Sequence, residues 1–308
     1  MTETQLLSLD EELRQRRLID TGLYSALRRV ETTGSTNAEL IAAAQSPDFG
    51  ARWPHMSVLT AEEQTGGRGR LGRTWSSPKS AALATSILLR PTMPASQWHW
   101  LSLAAGLALV RALAAHKVTA ALKWPNDVHV QGRKIAGLLA EVPPTAPQTV
   151  IIGCGINVLL KQDQLPTDSS TSLLLELDRT GGDAPQPRSR AAAQLRTQLL
   201  ADWLEHFAGL MRQAQWEADI SGLRNRIIAA VSTTGQQVRV ELPDGTAARG
   251  HALGVAANGA LEVEVTARRR TVLDAEAGGG AEALWQRTAP ERESYTAGDV
   301  VHLRPTPG

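Results

Sequence analysis

Between Gly66 and Trp75 the chain reads Gly-Gly-Arg-Gly-Arg-Leu-Gly-Arg-Thr-Trp, four glycines and three arginines in ten residues. Glycine lets backbone N–H groups approach an anion closely, and each guanidinium offers a planar fork of donors to phosphate or carboxylate. Such a loop is entropically costly to order, and closing it over a polyanion offsets that cost. Flexible arginine-glycine tails that bind RNA share the composition, but they are long and repetitive, whereas this stretch is embedded between apolar strands. The spacing points to a small-molecule phosphate site.

Four other groups of residues carry chemistry. In Lys123-Trp124-Pro125-Asn126-Asp127, Asn126 and Asp127 supply an amide and a carboxylate suited to Mg2+ or a ribose, with Lys123 a point charge for phosphate. Pro-Asn-Asp is equally an ordinary turn composition. Lys134 opens an apolar strand with Gly137 three positions on. Lysines there are usually solvated, so it joins a site only if the arginine loop is near; Gly137 marks close ligand approach or a bulge. Gly153 and Gly155 interrupt an apolar strand on one face, where a flat ring could lie or a helix could pack. Cys154 falls on the opposite face and reads as a small core residue. Ser35-Thr36-Asn37 reads first as a helix N-cap, with hydroxyls and an amide that could also hydrogen-bond a polar ring.

The elements that must position these groups follow from the patterning. Helices are expected over 36–44 and 97–116, with one or two short ones near 6–19. Strands are expected over 57–61, 82–89, 118–122, 129–130, 135–141 and 149–158, with Gln131-Gly132-Arg133 closing a hairpin. This predicts an α+β fold, a mixed β-sheet with helices packed on one face. After a Gly- and Pro-rich loop at 178–190, Leu195, Leu199, Trp203, Leu204, Phe207, Leu210 and Met211 recur at helical spacing, in a helix expected to lead out of the main domain. From Gly235, short strands separated by Pro243-Asp244-Gly245 and Asn258-Gly259 fit a small β-barrel. The Gly- and Ala-rich stretch 275–283 and a tail with Pro290, Pro305 and Pro307 stay unassigned.

Composition sets outer limits. With 308 residues, 42% hydrophobic and 20% charged, the chain suits one large and one smaller soluble domain. Lys plus Arg number 32 against 31 Asp plus Glu, so nothing global argues for coating nucleic acid or a membrane. A single cysteine precludes an intrachain disulfide and suits a reducing compartment, so the cytoplasm is expected. Acidic Glu3, Asp10, Glu11 and Glu12 are unlike a secretory signal, and the apolar run at 101–115 is broken by Ser102 and Arg111.

Taken in order, Gly34-Ser35-Thr36-Asn37, the segment from Glu63 to Trp75, Lys123 to Asp127, Lys134-Ile135-Ala136-Gly137 and Gly153-Cys154-Gly155-Ile156-Asn157-Val158 closely resemble the biotin protein ligase family, over residues 32–175. The resemblance implies a class II aminoacyl-tRNA synthetase-like catalytic domain at 32–232, an SH3-like β-barrel with tail at 233–308 and a short extension at 1–31. It implies that Ser35, Thr36, Asn37 and Gln64 hold the ureido end of biotin and that Gly137, Gly153 and Gly155 make room for its rings. Arg68, Gly69 and Arg70 would close over carboxylate and phosphates, with Lys134 beside the reacting groups. Arg73, Trp75, Lys123, Asn126, Asp127 and Asn157 match positions around ATP or its Mg2+, for which Asp127 is the candidate ligand; Asp127 would also orient or deprotonate the acceptor lysine. The implied reaction joins biotin to a biotin carboxyl carrier protein of acetyl-CoA carboxylase or a related carboxylase, by a monomer or homodimer. Residues before Thr32 are too few for a winged helix, so no DNA binding or repressor activity is expected. The alternatives are a lipoate or octanoate ligase and a biotin-responsive DNA regulator.

Overall fold

The computed structural model describes residues 8–216, 220–269, 285–296 and 299–303. The Gly- and Ala-rich stretch 275–283, Pro305, Pro307 and the start of the 6–19 helix lie outside the described residues. The chain divides into one unit of Met1–Ala121 with Asn126–Leu223 and a second of Leu122–Pro125 with Arg224–Gly308.

In the first unit, β1 (Ala26–Thr33) runs parallel to β2 (Ser57–Gln64), and β5 (Ala82–Leu89), β9 (Val150–Asn157), β8 (Arg133–Glu141) and β7 (Asp127–Val130) follow antiparallel in the order β1-β2-β5-β9-β8-β7. The β7–β8 hairpin turns on Gln131 (φ 49°) and Gly132 (φ 79°), two left-handed residues as a tight two-residue turn requires. Between β2 and β5, β3 (Gly67–Arg68) and β4 (Thr74–Trp75) form a separate two-stranded ladder.

Strand periodicity assigns the helices to faces. Leu59, Leu88 and Ile151 share one face by register, and they pack with Leu40 of α1 (Thr36–Ala43), Phe49 and Trp53. Glu62, three residues beyond Leu59, points to the other face, where it meets Arg196 of α4 (Arg190–Trp216) at 2.7 Å. Helices therefore lie on both faces, not one. Single-chain periodicity marks which residues of a helix are buried but not which side of the sheet receives them. Rather than leading away, α4 packs in this core against α2 (His99–Ala115), with Trp203 Nε1 donating to Ala105 O at 2.9 Å. α3 (Leu173–Arg179) is capped by Ser172. The residues ahead of β1 are docked too: Leu9, Leu18 and Tyr24 are buried, and Tyr24 donates to Leu204 O at 2.8 Å. β1 starts at Ala26, inside the stretch read as an extension.

The second unit contains β6 (Ala121–Lys123) from Leu122 on, which bridges to Val231, and an antiparallel sheet in the order β13-β12-β11-β10-β14. These strands are β10 (Gln237–Glu241), β11 (Ala247–Val255), β12 (Leu261–Arg269), β13 (Trp285–Tyr295) and β14 (Asp299–His302). Both foreseen turns are present, with Gly245 and Gly259 at φ 82° and 78°. Edge strands β13 and β14 leave the sheet open among the described residues, where turn spacing alone pointed to a barrel. Pro290, left unassigned before, falls in β13.

Candidate active site

The middle of the first sheet presents a floor of small side chains. Ala84, Gly155, Gly137 and Asp127 form one cross-strand row over β5, β9, β8 and β7, and Ser86, Gly153 and Leu139 form the next. Gly153 and Gly155 are required by what lies over them, and Gly137 is closely approached. A Cβ on Gly153 would stand 2.5–3.0 Å from the Asn37 amide, one on Gly155 would meet the Trp75 indole, and one on Gly137 would come within 3.1 Å of Lys134 Nζ.

One end of the floor is lined by neutral polar side chains, with the Glu141 carboxylate behind Asn37. Ser35 caps α1, its hydroxyl accepting from Ala38 N–H at 3.4 Å. Gln64 at the end of β2 accepts through Oε1 from Thr36 N–H at 2.8 Å. Ser86 Oγ lies 2.7 Å from Thr36 Oγ1 and donates to Asn37 Oδ1 at 2.6 Å. Asn37 Nδ2 donates to Leu139 O at 3.1 Å and to Glu141 at 2.7 Å. Thus Ser35, Thr36, Asn37 and Gln64 are brought together, and the helix cap and a polar pocket prove to be one arrangement.

The other end is charged. Lys134 Nζ pairs with Asp127 Oδ1 at 2.7 Å and lies 6.0 Å from the Trp75 ring, so this lysine is not simply solvated. Its backbone is held by bonds with Ser169 and Thr171. Burial pushes the Asp127 carboxyl up, but the His129 ring 3.7 Å away and the Lys134 ammonium outweigh burial and hold it below the usual carboxylate range. Arg70 reaches from the turn after β3 to Asn126 Oδ1 at 3.4 Å. Burial, and after it Arg73, lower the Arg70 pKa, with Asp127 opposing. Trp75 Nε1 is buried without a hydrogen-bond partner among the described residues.

Other expected residues sit differently. Arg68 and Arg73 are exposed on the ladder, and Gly69 N–H donates to Arg73 O at 2.7 Å. Asn157 is in the glycine row of β9, yet its amide donates to Thr171 O at 3.0 Å and is buried. Lys123 belongs to the second unit, where the neighbouring Trp124 donates to Gly259 O at 2.9 Å. Among the described residues no three His, Cys, Asp or Glu side chains gather as a metal cluster. Sequence reasoning missed Ser86, Glu141 and His129. Ser86 sits in an otherwise featureless buried strand, whereas Glu141 shares the parity of Gly137, a signal that was available.

Comparison with known proteins gives this arrangement a context. Residues 31–157 match the biotin/lipoate A/B protein ligase family, and residues 233–303 match the biotin protein ligase C-terminal domain. A biotin–[acetyl-CoA-carboxylase] ligase of Mycobacterium tuberculosis (strain ATCC 25618 / H37Rv) is 36% identical over 302 residues, 96% of either chain. The chain belongs to the biotin protein ligase family. It is thereby a ligase, and the resemblance read from its motifs holds. A second biotin–[acetyl-CoA-carboxylase] ligase, from Paracoccus denitrificans, is 30% identical over 79% of this chain and 96% of its own. The biotin protein ligase of Aquifex aeolicus, solved in complex with biotin and ATP, shares the fold with a TM-score of 0.63 at 23% identity, over 91% of this chain and 100% of that one. Among the described residues no helix is long and apolar enough to cross a membrane.

Proposed function

We propose that this biotin protein ligase family member activates biotin with Mg-ATP and passes it to a lysine of a biotin carboxyl carrier protein. The observation that carries the reading is the polarity of the floor: Thr36, Asn37, Gln64 and Ser86 at one end, Lys134, Asp127, Asn126 and Arg70 at the other, with Trp75 above Gly155. An acid with a polar ring and a carboxylate tail suits such a floor lengthwise. The orphaned indole N–H of Trp75 is one further donor for a ligand acceptor to meet.

In the first step a biotin carboxylate oxygen attacks the α-phosphorus, the bond to the β-phosphate bridging oxygen breaks, and pyrophosphate leaves. Two anions must meet, and Arg68, Arg70 and Lys134 offset their repulsion and stabilise charge as it develops, so the chemistry rests on positioning and electrostatics. In the second step the acceptor amine attacks the acyl carbon, the amide forms and AMP leaves with the C–O electrons. Asp127, ionised by its neighbours, is the group suited to orient the amine and take its proton. Its carboxylate already pairs with Lys134, so we assign Mg2+ to the nucleotide as part of the substrate, held chiefly by phosphates and water. Arg73 and Asn157 are assigned to the nucleotide end, and Ser35 with Gly69 to the biotin end.

The first unit is read as the family's class II aminoacyl-tRNA synthetase-like catalytic domain and the C-terminal sheet as its SH3-like module. The name of the Mycobacterium tuberculosis relative supports an acetyl-CoA carboxylase carrier domain as acceptor. The same reading takes the enzyme as cytoplasmic, and as a ligase without a repressor role. Incubating the protein with ATP, a carrier domain and, in turn, biotin, lipoate or octanoate, then weighing the intact carrier, tests it. A biotinyl mass gain is expected; a lipoyl or octanoyl gain in its place overturns the assignment.

A further inference from the structure

Asn37 has only one way to face. Both Nδ2 hydrogens are consumed, one by Leu139 O at 3.1 Å and one by the Glu141 carboxylate at 2.7 Å, so Oδ1 must point over Gly153 into the floor. An amide oxygen accepts and cannot donate. The single Ser86 hydroxyl proton therefore goes to Asn37 Oδ1 at 2.6 Å, which leaves the Thr36 proton two acceptors, Ser86 Oγ at 2.7 Å and Gln64 Oε1 at 3.1 Å. Gln64 Oε1 takes the Thr36 N–H at 2.8 Å, which leaves Gln64 Nε2, on the side of Gly67, as a donor. Glu141 thus fixes the facing of Asn37 and, through it, the Ser86 proton, while the Thr36 backbone N–H fixes Gln64. The result is a pocket with an acceptor, Asn37 Oδ1, beside a donor, Gln64 Nε2. Were Asn37 flipped, its amide would meet the ligand as a donor and the Ser86 proton would lose its acceptor.

We propose that Glu141, acting through Asn37 and Ser86, is the positioning residue that fixes donor and acceptor polarity at the ring end, so that the site selects a ring with N–H donors flanking a carbonyl, as in a cyclic urea. Glu141 need not touch the ligand. The inference rests on the biotin reading of the same site and assigns it a determinant of specificity. Buried polar recognition of this kind discriminates strongly, because a ligand lacking the matching groups leaves protein groups unpaired.

The test measures pyrophosphate release by the full chain with ATP and either biotin or desthiobiotin, which keeps the cyclic urea without the thioether ring. Glu141→Leu is expected to raise KM for both acids by about tenfold or more, while KM for ATP and kcat at saturating acid stay within about twofold of wild type. Glu141→Gln is expected to recover most of the loss, because its amide oxygen still accepts from Asn37. Ser86→Ala serves where Glu141→Leu folds poorly, and is expected to raise KM for both acids severalfold. Unchanged KM values in Glu141→Leu and Ser86→Ala, or KM for ATP rising in step, overturn the proposal. Wild-type protein that releases no pyrophosphate with biotin defeats the biotin reading itself; an active wild type with unaffected variants defeats only the relay.

Discussion

Gly155→Ala is the perturbation that most directly probes how the arginine loop meets the floor. A Cβ at this position would stand 2.7 Å from Cζ2 and Nε1 of Trp75. Heavy atoms in ordinary contact keep about 3.5–4.0 Å, so the indole must retreat by about 1 Å. Trp75 sits on β4, whose partner β3 carries Arg68, and Arg70 lies in the turn between them, so the retreat moves both arginines. Misplacing a positioned group by about 1 Å costs on the order of a hundredfold in rate, or about 2.7 kcal/mol. Stability should respond far less, because the two-residue ladder can give way without opening the main sheet. Pyrophosphate release with biotin gives kcat/KM, and thermal denaturation gives the stability. A kcat/KM within about twofold of wild type refutes this account of the loop, as does a rate loss accompanied by a proportionate fall in Tm.

Arg70→Ala is expected to shorten the lifetime of bound biotinyl-AMP, followed as release and hydrolysis after rapid desalting; an unchanged lifetime removes Arg70 from adenylate retention. Glu62→Gln leaves Arg196 buried without its counter-charge at a site where both side chains are fully buried, and should destabilise the fold by about 3–5 kcal/mol in denaturant melts. Burial pushes the Glu62 carboxyl up, but Arg196, the Leu9 N–H and Arg29 together hold it below its ordinary value. Such a lowered pKa stabilises the fold fully above the unfolded carboxylate value of about 4.3 and loses its contribution as pH falls through the folded value. Melts from about pH 5 downward should therefore slope less in Glu62→Gln than in wild type, with the two running parallel nearer neutrality; equal slopes in the acid range contradict the assignment. Burial also pushes the Cys154 thiol up, so iodoacetamide at mildly alkaline pH should leave it unmodified until the protein is denatured.

Much of the site was legible because its demands are local. Four glycines and three arginines in ten residues can be read as an anion loop without knowing their neighbours, and Ser35 marks a helix start by its own chemistry. The alternation of Gly153 and Gly155 established that one face of β9 is bare, but two explanations remained, a ligand or a packed helix. Register decides between them only in part: Gly153 lies under Asn37 of α1 and Gly155 under Trp75 of the loop. Lys134 depended on whether the loop came near, a long-range contact that periodicity does not encode. Ser86 stayed hidden for the same reason, since its meaning arises only when β5, β9 and β8 align Ser86, Gly153 and Leu139 in one row, whereas Glu141 could be reached through its parity with Gly137. Glu62 and Arg196 are 134 residues apart in sequence, and an acid in a strand otherwise reads as a solvent-facing side chain.

The electrostatics of the loop explain why glycine and arginine alternate there. Arg70 is partly withdrawn from water and lies near Arg73, and both effects disfavour its charge, while Asp127 alone opposes them. That carboxylate is shared with Lys134 at 2.7 Å, so the cations at this end of the floor outnumber the acids available to them. An incoming carboxylate and a triphosphate reverse the imbalance, and each anion makes the approach of the next guanidinium more favourable. Arginine supplies this without losing its proton, since its pKa remains far above neutrality even when lowered by burial. The glycines supply the complementary half: Gly72, at φ 72°, allows the tight turn between β3 and β4 that returns the chain to Trp75. A lysine-rich loop would carry equal charge but not the bidentate geometry, and a loop without glycine could not fold its own backbone against the ligand. In the proposed reaction, binding and ordering would in this way be coupled through the same ten residues, so that the anions to be brought together would also hold the cover that keeps water from the anhydride.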